Sequence, residues 1–230
     1  MSSLIKAWRS ALSDKLNMTQ ASWEPFTQSI HLGDFGEFDN HVWQRRRPCS
    51  AWGIDLDSFA MREEASGPIE IISGTTLEIT GGGAGSVPGT TVSARAHFES
   101  KDSFLLRAPS RMAIEIEDPE AFGHAVYDAA EAAGEAPNLM TYVVYGITIV
   151  SQAYFVASSD KNTSVSLSGT YEEIQYGAVV NGSLSIAKTS HDQVTTSHPG
   201  ENTGTDPAVI AFKVLSWNPS GRKVQLNANT

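Results

Sequence analysis

The side chains that could do covalent or metal chemistry are few and scattered along this 230-residue chain. The six histidines show no HExxH-type spacing, and the GxSxG motif of a serine nucleophile does not occur. Cys49, the single cysteine, has no supporting motif for a nucleophile, and alone it excludes an internal disulfide or a zinc cluster. The glycine-rich residues 81–89 lack the Gly-Lys-Ser/Thr ending of a phosphate loop. We therefore expect no enzyme activity, no metal and no cofactor.

The basic residues near the N-terminus are better suited to binding. Residues 1–47 hold six basic and five acidic side chains, whereas the whole chain has a net charge of −10. The acidic remainder argues against a nucleic-acid partner, because phosphate neutralisation dominates such binding. Arginine pairs well with phosphate, and tryptophan favours the headgroup level of a bilayer. The candidate lipid-binding residues are Lys6, Trp8, Arg9, Lys15, Trp43, Arg45, Arg46 and Arg47.

Two N-terminal segments must position these residues. Residues 3–16 show a helical stripe of Leu4, Trp8 and Leu12, with the basic residues away from it. Such a helix either packs on a core or lies in a lipid interface. Residues 31–48 place turn-forming residues before the basic run RRR. This run indicates either a surface loop or a membrane contact.

The middle of the chain has the alternation of β-strands. In residues 91–98 the even positions are apolar and the odd positions are polar. We predict two alternating hairpins, over residues 69–99 and 141–187, with the glycine-rich residues 81–89 as a flexible connection. The candidate membrane-insertion residues are Ile69, Ile71, Leu77, Ile79, Val92, Ala94, Ala96, Phe98, Tyr142, Val144, Ile147, Ile149, Tyr154, Val165, Leu167, Leu184 and Ile186.

Further elements complete the expected fold. Residues 112–116 alternate as a strand, and a helix follows with Asp118 as N-cap, Pro119 at its first position and Gly134 as its stop. Strand-like tracts recur at residues 163–169 and 183–187. Residues 189–206 are polar and predict a long loop, while residues 208–217 predict a core strand.

The apolar run YVVYGITIVSQAYFV, residues 142–156, has three possible interpretations. A transmembrane helix is disfavoured by its β-branched and tyrosine content. A buried core strand bent at Gly146 is the second. The third is a membrane-spanning strand, which needs ~9–11 tilted residues and a closed barrel of paired neighbours.

The order of these segments resembles the pore-forming N-terminal domain of the gasdermins. The helix at residues 4–16 and the tract VWQRRRP at residues 42–48 stand where that family has a lipid-binding helix and an aromatic–basic tip. Residues 98–122 are similar to the family segment that leads from the first insertion hairpin into a helix. Residues 206–217 are similar to a late family strand. The likeness runs across nearly the whole chain.

The resemblance implies one domain over residues 1–230, of the α+β class, with a twisted antiparallel sheet and peripheral helices. It implies a protein that binds acidic inner-leaflet phospholipid, forms a homo-oligomer or hetero-oligomer with a variant, and opens a pore in regulated cell death. Such a protein is cytoplasmic when inactive and at the plasma membrane when active. Animal members carry a large C-terminal repressor domain for which this sequence has no room, so we expect the short fungal or bacterial type or an excised active fragment. The alternative is a soluble β-rich binding or scaffold module without membrane activity.

Overall fold

The computed structural model describes residues 2–16, 20–21, 29–81, 90–138, 140–179, 184–198, 207–218 and 224–226. Its antiparallel sheets and peripheral helices confirm the α+β class. The helices are α1 (Ser2–Leu16), α2 (Pro119–Ala132) and α3 (Tyr171–Tyr176). The strands are β1 (Gln20–Ala21), β2 (Asp34–Asp39), β3 (Val42–Pro48), β4 (Met61–Ser66), β5 (Ile69–Ser73), β6 (Thr75–Thr80), β7 (Thr91–Phe98), β8 (Ser103–Ala108), β9 (Arg111–Ile116), β10 (Tyr142–Val150), β11 (Ala153–Ser158), β12 (Thr163–Thr170), β13 (Ser185–Lys188), β14 (Gln193–His198), β15 (Ala208–Trp217) and β16 (Val224–Leu226).

The strands form three sheets. The large sheet joins β10 to β15, β2 and β9, and carries β1, β3, β4 and β16 at its margins. The middle sheet has the order β14-β11-β8-β5, and the outer sheet has the order β13-β12-β7-β6. A strand of the middle sheet and the strand at the same position of the outer sheet are consecutive along the chain, as β5 and β6 are. The middle and outer sheets are therefore two halves of two long hairpins, each bent in its middle.

The first bent hairpin pairs β5 and β6 with β8 and β7, and the second pairs β11 and β12 with β14 and β13. The two hairpins also pair with each other, through β8–β11 in the middle sheet and β7–β12 in the outer sheet. Gly74, at a φ of +55°, makes the turn between β5 and β6. A left-handed turn of this kind suits glycine, which has no Cβ to clash.

The middle sheet is covered on both faces. On one face Phe104, Leu106 and Phe155 pack against α1, and on the other Leu105, Tyr154 and Val156 pack against the outer sheet. Every residue of β8 and β11 is buried as a result. This double cover explains why both strands are apolar over most of their length rather than alternating.

The apolar run at residues 142–156 is two strands in different sheets. β10 lies in the large sheet, β11 lies in the middle sheet, and Ser151 and Gln152 join them. The second interpretation, a buried core strand bent at Gly146, is thus correct in placing the run in the core but wrong in treating it as one strand. Gly146 marks a register shift between β10 and β15, not the break itself.

The other expectations meet mixed outcomes. Helix α2 begins and ends as predicted, because the Asp118 carboxylate accepts a hydrogen bond from the Ala121 amide and Gly134 is left-handed. The loop predicted for the basic run is wrong, since that run lies in β3, paired with β2. The loop predicted for residues 189–206 is wrong at β14, which is a strand. Residues 199–206 of that loop, and residues 82–89 of the predicted glycine-rich connection, lie outside the described residues.

Candidate membrane-binding surface

Helix α1 is held by its apolar stripe. Leu4, Trp8 and Leu12 are buried in the cluster that covers the middle sheet. The Trp8 ring lies 5.2 Å from Phe104 and 4.9 Å from Phe155, centroid to centroid. The Trp8 indole is thus packed in the core in this conformation, and contact with lipid requires the helix to leave the middle sheet.

Arg9 joins α1 to the tip of the β2–β3 hairpin. Its Nη1 lies 3.3 Å from Nδ1 of His41, and its guanidinium stands 5.9 Å from the Phe38 ring centroid. Burial lowers the pKa of Arg9, an effect opposed in part by Tyr142. The structure therefore brings the two predicted lipid-binding segments together at this point.

The three arginines of β3 are each paired with a carboxylate. Arg45 Nε lies 2.7 Å from Asp34 Oδ1, and Arg46 Nη2 lies 2.6 Å from Glu37 Oε2. Arg47 Nη1 lies 2.8 Å from Glu135 Oε1. A phosphate that binds these arginines must compete with their carboxylate partners.

Trp43 is also buried beneath this hairpin. Its ring packs against Phe38 at 5.3 Å and Phe212 at 5.7 Å between centroids. Its indole Nε1 has no hydrogen-bond partner among the residues that the structure describes. The predicted aromatic anchor is therefore part of the core in this conformation.

Lys6 and Lys15 differ from the arginines of this surface in having no carboxylate partner among the described residues. Both are exposed on α1, and neither forms an ion pair with any residue in the described part of the chain. Lys15 also lies in the last turn of the helix, where a positive charge complements the helix dipole.

Most of the predicted insertion residues meet in the outer sheet. Adjacent positions run across its strands as Ile79, Ala94, Leu167 and Ile186. The inner face of the outer sheet is buried against the middle sheet. The insertion candidates that lie in the outer sheet or pack beside it are Leu77, Ile79, Val92, Ala94, Ala96, Phe98, Val165, Leu167, Leu184 and Ile186.

The opposite face of the outer sheet is polar. Ser93 and Arg95 are exposed on β7. The cross-strand neighbours of Arg95 are Glu78 on β6, which is also exposed, and Ser166 on β12. The outer sheet thus has one apolar face, buried against the middle sheet, and one polar face.

The remaining insertion candidates lie elsewhere. Ile69, Ile71 and Tyr154 belong to the middle sheet, whereas Tyr142, Val144, Ile147 and Ile149 belong to the large sheet. The second hairpin thus begins at Ala153 and extends through His198, not over residues 141–187 as expected. Periodicity missed this boundary because β10 and β11 are both apolar and separated by only two residues.

The sequence interpretation missed several polar groups that fix these elements. Arg107 is buried in β8 and pairs with Glu70, while its Nη1 donates to the Ile174 carbonyl at 3.1 Å. The Tyr154 hydroxyl donates to the same carbonyl at 2.6 Å. These bonds hold α3, the helix between β12 and β13, against the middle sheet. A charged residue within an otherwise apolar strand was the available signal.

Comparison with protein-family models and with curated proteins finds no match for this chain. Within the described ranges, no helix is long and apolar enough to cross a membrane. In the same part of the chain, no group of three or more His, Cys, Asp and Glu residues is placed to hold a metal ion.

Proposed function

We propose that this chain binds acidic phospholipid, oligomerises and permeabilises a membrane as a gasdermin-like pore-forming protein of regulated cell death. It acts from the cytoplasm on the inner leaflet of the plasma membrane. The observation that carries the proposal is the pair of bent hairpins, whose four long arms already pair side by side. Straightening them requires no exchange of strand partners.

The lengths of the arms support this conversion. Across the bends the arms run over residues 69–80, 91–108, 153–170 and 185–198. A membrane-crossing strand needs ~9–11 tilted residues, so each arm is long enough once straight. In the bent form each half is short, as strands of soluble sheets are.

The faces of the hairpins also support it. The face enclosed between the middle and outer sheets carries apolar side chains that include Leu105, Val156, Ala94 and Leu167. Its middle-sheet part also carries the ion pair of Arg107 and Glu70, which lie beside Tyr154 across the strands. In this proposal the apolar surface that this face offers to lipid after straightening therefore comes mainly from the outer sheet. The polar face of the outer sheet then faces water in the pore. Transfer of the apolar face from protein to lipid avoids the cost of about 25 cal/mol per Å² of exposing it to water.

Lipid docking begins in this proposal at the exposed lysines of α1. Lys6 and Lys15 need no partner exchange, whereas Arg45, Arg46 and Arg47 must leave Asp34, Glu37 and Glu135. The Arg46 and Arg47 pairs are exposed and contribute roughly 0–1 kcal/mol each, so a phosphate surface can displace them. Asp34 is buried, so separating Arg45 from it costs more.

The test is dye release from anionic and neutral vesicles. We expect leakage from anionic vesicles, and we expect Lys6→Glu with Lys15→Glu to weaken binding by about 1 kcal/mol per charge or more. The matched control reverses Lys161 and Lys188, which are exposed on the second hairpin. If both double variants lose the same amount of binding, the loss comes from the net charge of the protein and not from the position of Lys6 and Lys15. Absence of leakage and of ring-shaped assemblies at micromolar protein favours the soluble binding module.

A further inference from the structure

The bends of the two hairpins turn each strand over between the middle and the outer sheet. Successive side chains of a strand point to opposite faces, so a straight strand keeps its odd-numbered side chains on one face. In β7 the side chains enclosed between the two sheets are even-numbered, as Ala94 and Ala96 are. In β8 the enclosed side chain is the odd-numbered Leu105, and the even-numbered Phe104 and Leu106 lie under α1.

The other arms change faces in the same way. β12 encloses the odd-numbered Val165 and Leu167, whereas β11 encloses the even-numbered Tyr154 and Val156 and turns Phe155 toward α1. The marginal arms agree, because β5 and β6 both bury odd-numbered apolar side chains and β13 and β14 both bury even-numbered ones. The side chains concerned are Ile69, Ile71, Leu77, Ile79, Ile186 and Val194. In each arm, straightening therefore joins the α1 side of the middle sheet to the enclosed side of the outer sheet.

The register of the strands permits this joining. Phe98 is paired with Thr163 in the outer sheet and Ser103 with Ser158 in the middle sheet, and four residues separate these pairs on each strand. The central strands of the two hairpins therefore keep one register through the bend. At the margins the two sides of a bend differ by an even number of residues, one against five in the first hairpin and six against four in the second. An even difference leaves every side chain on its own face.

Straightening thus gives the hairpins one apolar face and one polar face. The apolar face combines the side chains under α1 with those on the enclosed side of the outer sheet, and within β5 to β8, β11 and β12 it holds no charged residue. The opposite face combines the exposed side of the outer sheet with the enclosed side of the middle sheet. It carries Glu78 and Arg95 from the outer sheet and Glu70 and Arg107 from the middle sheet.

A polar row crosses the enclosed side of the middle sheet. Glu70, Arg107 and Tyr154 are neighbours across β5, β8 and β11, and Ser197 of β14 continues the row. Arg107 is buried there and pairs with Glu70. A guanidinium and a carboxylate are costly in hydrocarbon, so in a membrane they face a water-filled space. The row therefore marks the side of the straightened hairpins that meets water.

We propose that the enclosed side of the middle sheet becomes part of the inner wall of the pore, where Arg107 faces the channel and sets its ion selectivity. This inference rests on the proposed function and names the residues that meet the passing ions. Each charged row of the wall holds one arginine and one glutamate, Arg107 with Glu70 and Arg95 with Glu78. Loss of the Arg107 charge leaves Glu70 without its partner, and carboxylates that line a channel attract cations.

Cysteine substitution of two neighbouring leucines of β8 tests which face meets the channel. Leu105 and Leu106 are both fully buried in the bent form and have the same side chain, but they point to opposite faces. Leu105→Cys and Leu106→Cys are made in a Cys49→Ala chain, which has no other thiol. Single channels in anionic planar bilayers are then treated with a cationic, water-soluble thiosulfonate reagent. We expect a stepwise fall in conductance for Leu105→Cys and no change for Leu106→Cys.

Failure of this inference and failure of pore formation give different results. Absence of channels from the Cys49→Ala chain contradicts the proposed function. Channels that respond at Leu106→Cys alone, equally at both positions or at neither overturn the inference and leave the pore proposal standing. Val156→Cys and Phe155→Cys, at the cross-strand neighbours of these two positions on β11, repeat the comparison if a leucine variant does not fold.

Ion selectivity tests the role of Arg107 itself. Under a gradient of potassium chloride we expect Arg107→Gln to move the reversal potential toward that of potassium. The matched control is Arg111→Gln, the same change on β9 of the large sheet, which should keep the reversal potential of the parent chain. Circular dichroism and melting curves establish that each variant is folded. Equal reversal potentials in the two variants would show that Arg107 does not face the channel.

Discussion

At the scale of single residues, the aromatic and basic side chains predicted to meet lipid are engaged within the protein. Trp8 and Trp43 are buried, and the arginines of β3 hold carboxylates. Only Lys6 and Lys15, of the described lipid-binding candidates, are both exposed and without an ion pair. Under the proposed function, Trp8, Trp43 and the arginines of β3 must therefore leave their partners within the protein before they can contact lipid.

Replacing Trp8 with alanine tests how strongly α1 is held. Trp8 is fully buried between Phe104 and Phe155, so we expect Trp8→Ala to lower the free energy of unfolding by about 3–5 kcal/mol. Urea unfolding followed by circular dichroism measures the loss. Lys6→Ala, exposed on the same helix, is the control and should change stability by less than about 0.5 kcal/mol. A Trp8→Ala loss as small as that of the control would contradict the packing of α1.

Stability should fall at high pH because several acidic groups are buried in neutral form. Burial raises the pKa of Cys49 from 9.0 to about 11 and that of Tyr145 from 10.0 to about 12. The unfolded chain releases these protons at lower pH than the folded chain does. The stabilisation is therefore complete below pH 9.0 and is lost as the pH rises through 11 and then 12.

Urea unfolding at a series of pH values from 7 to 12 checks this dependence. We expect Cys49→Ala to flatten the part of the curve between pH 9.0 and 11, and to leave the higher part due to tyrosine. An unchanged slope between these values in Cys49→Ala would show that the thiol stays protonated equally in both states.

At the scale of elements, the proposed function makes the bends of the two hairpins the points at which the arms straighten. Gly74 makes the first bend with a left-handed backbone, and a Cβ there would lie 2.1 Å from the Ser100 hydroxyl. Any other residue strains this turn, whereas a straight arm has no such requirement. The bend is thus a point where the bent form can be weakened without changing the straight one.

We expect Gly74→Val to destabilise the bent form by about 1 kcal/mol or more and to speed dye release from anionic vesicles. Gly67→Val is the matched control, because Gly67 has open space around its Cβ position and no positive φ. Melting temperature and leakage rate are measured together for both variants. Slower leakage from Gly74→Val, with a lowered melting temperature, would contradict straightening of this hairpin.

The sequence predicts some of these elements well and others poorly. Helix α2 is predictable because its caps are local, and β7 because one of its faces meets water. The separation of β10 from β11 is not predictable from periodicity, since strands covered on both faces carry no alternation. The ion pairs of β3 are hidden for another reason: Arg47 and Glu135 lie far apart in sequence, and only the tertiary fold brings them together.

At the scale of the whole molecule, the large sheet and the two hairpins have different expected roles. The large sheet has α2 packed on one face, and the central pair β10–β15 holds its strands together. We expect this sheet to keep its structure during membrane binding. The middle and outer sheets, in contrast, must change their packing if the hairpins straighten.

Hydrogen exchange read by mass spectrometry tests this division. With anionic vesicles we expect altered protection in α1, α3 and the bends between the middle and outer sheets, because these are the parts that move. Protection in β10 and β15 should stay as in the free protein. Neutral vesicles serve as the control. Uniform loss of protection through β10 and β15 would indicate global unfolding on the vesicle instead.

The double cover of the middle sheet has a consequence for the order of events. If α1 leaves the middle sheet in water, Phe104, Leu106 and Phe155 become exposed together and form an apolar patch on the surface. Such a species aggregates unless a bilayer is already within reach. The lifetime of the free protein in solution is therefore set by how rarely α1 leaves the middle sheet. When α1 leaves before a membrane is present, the protein precipitates.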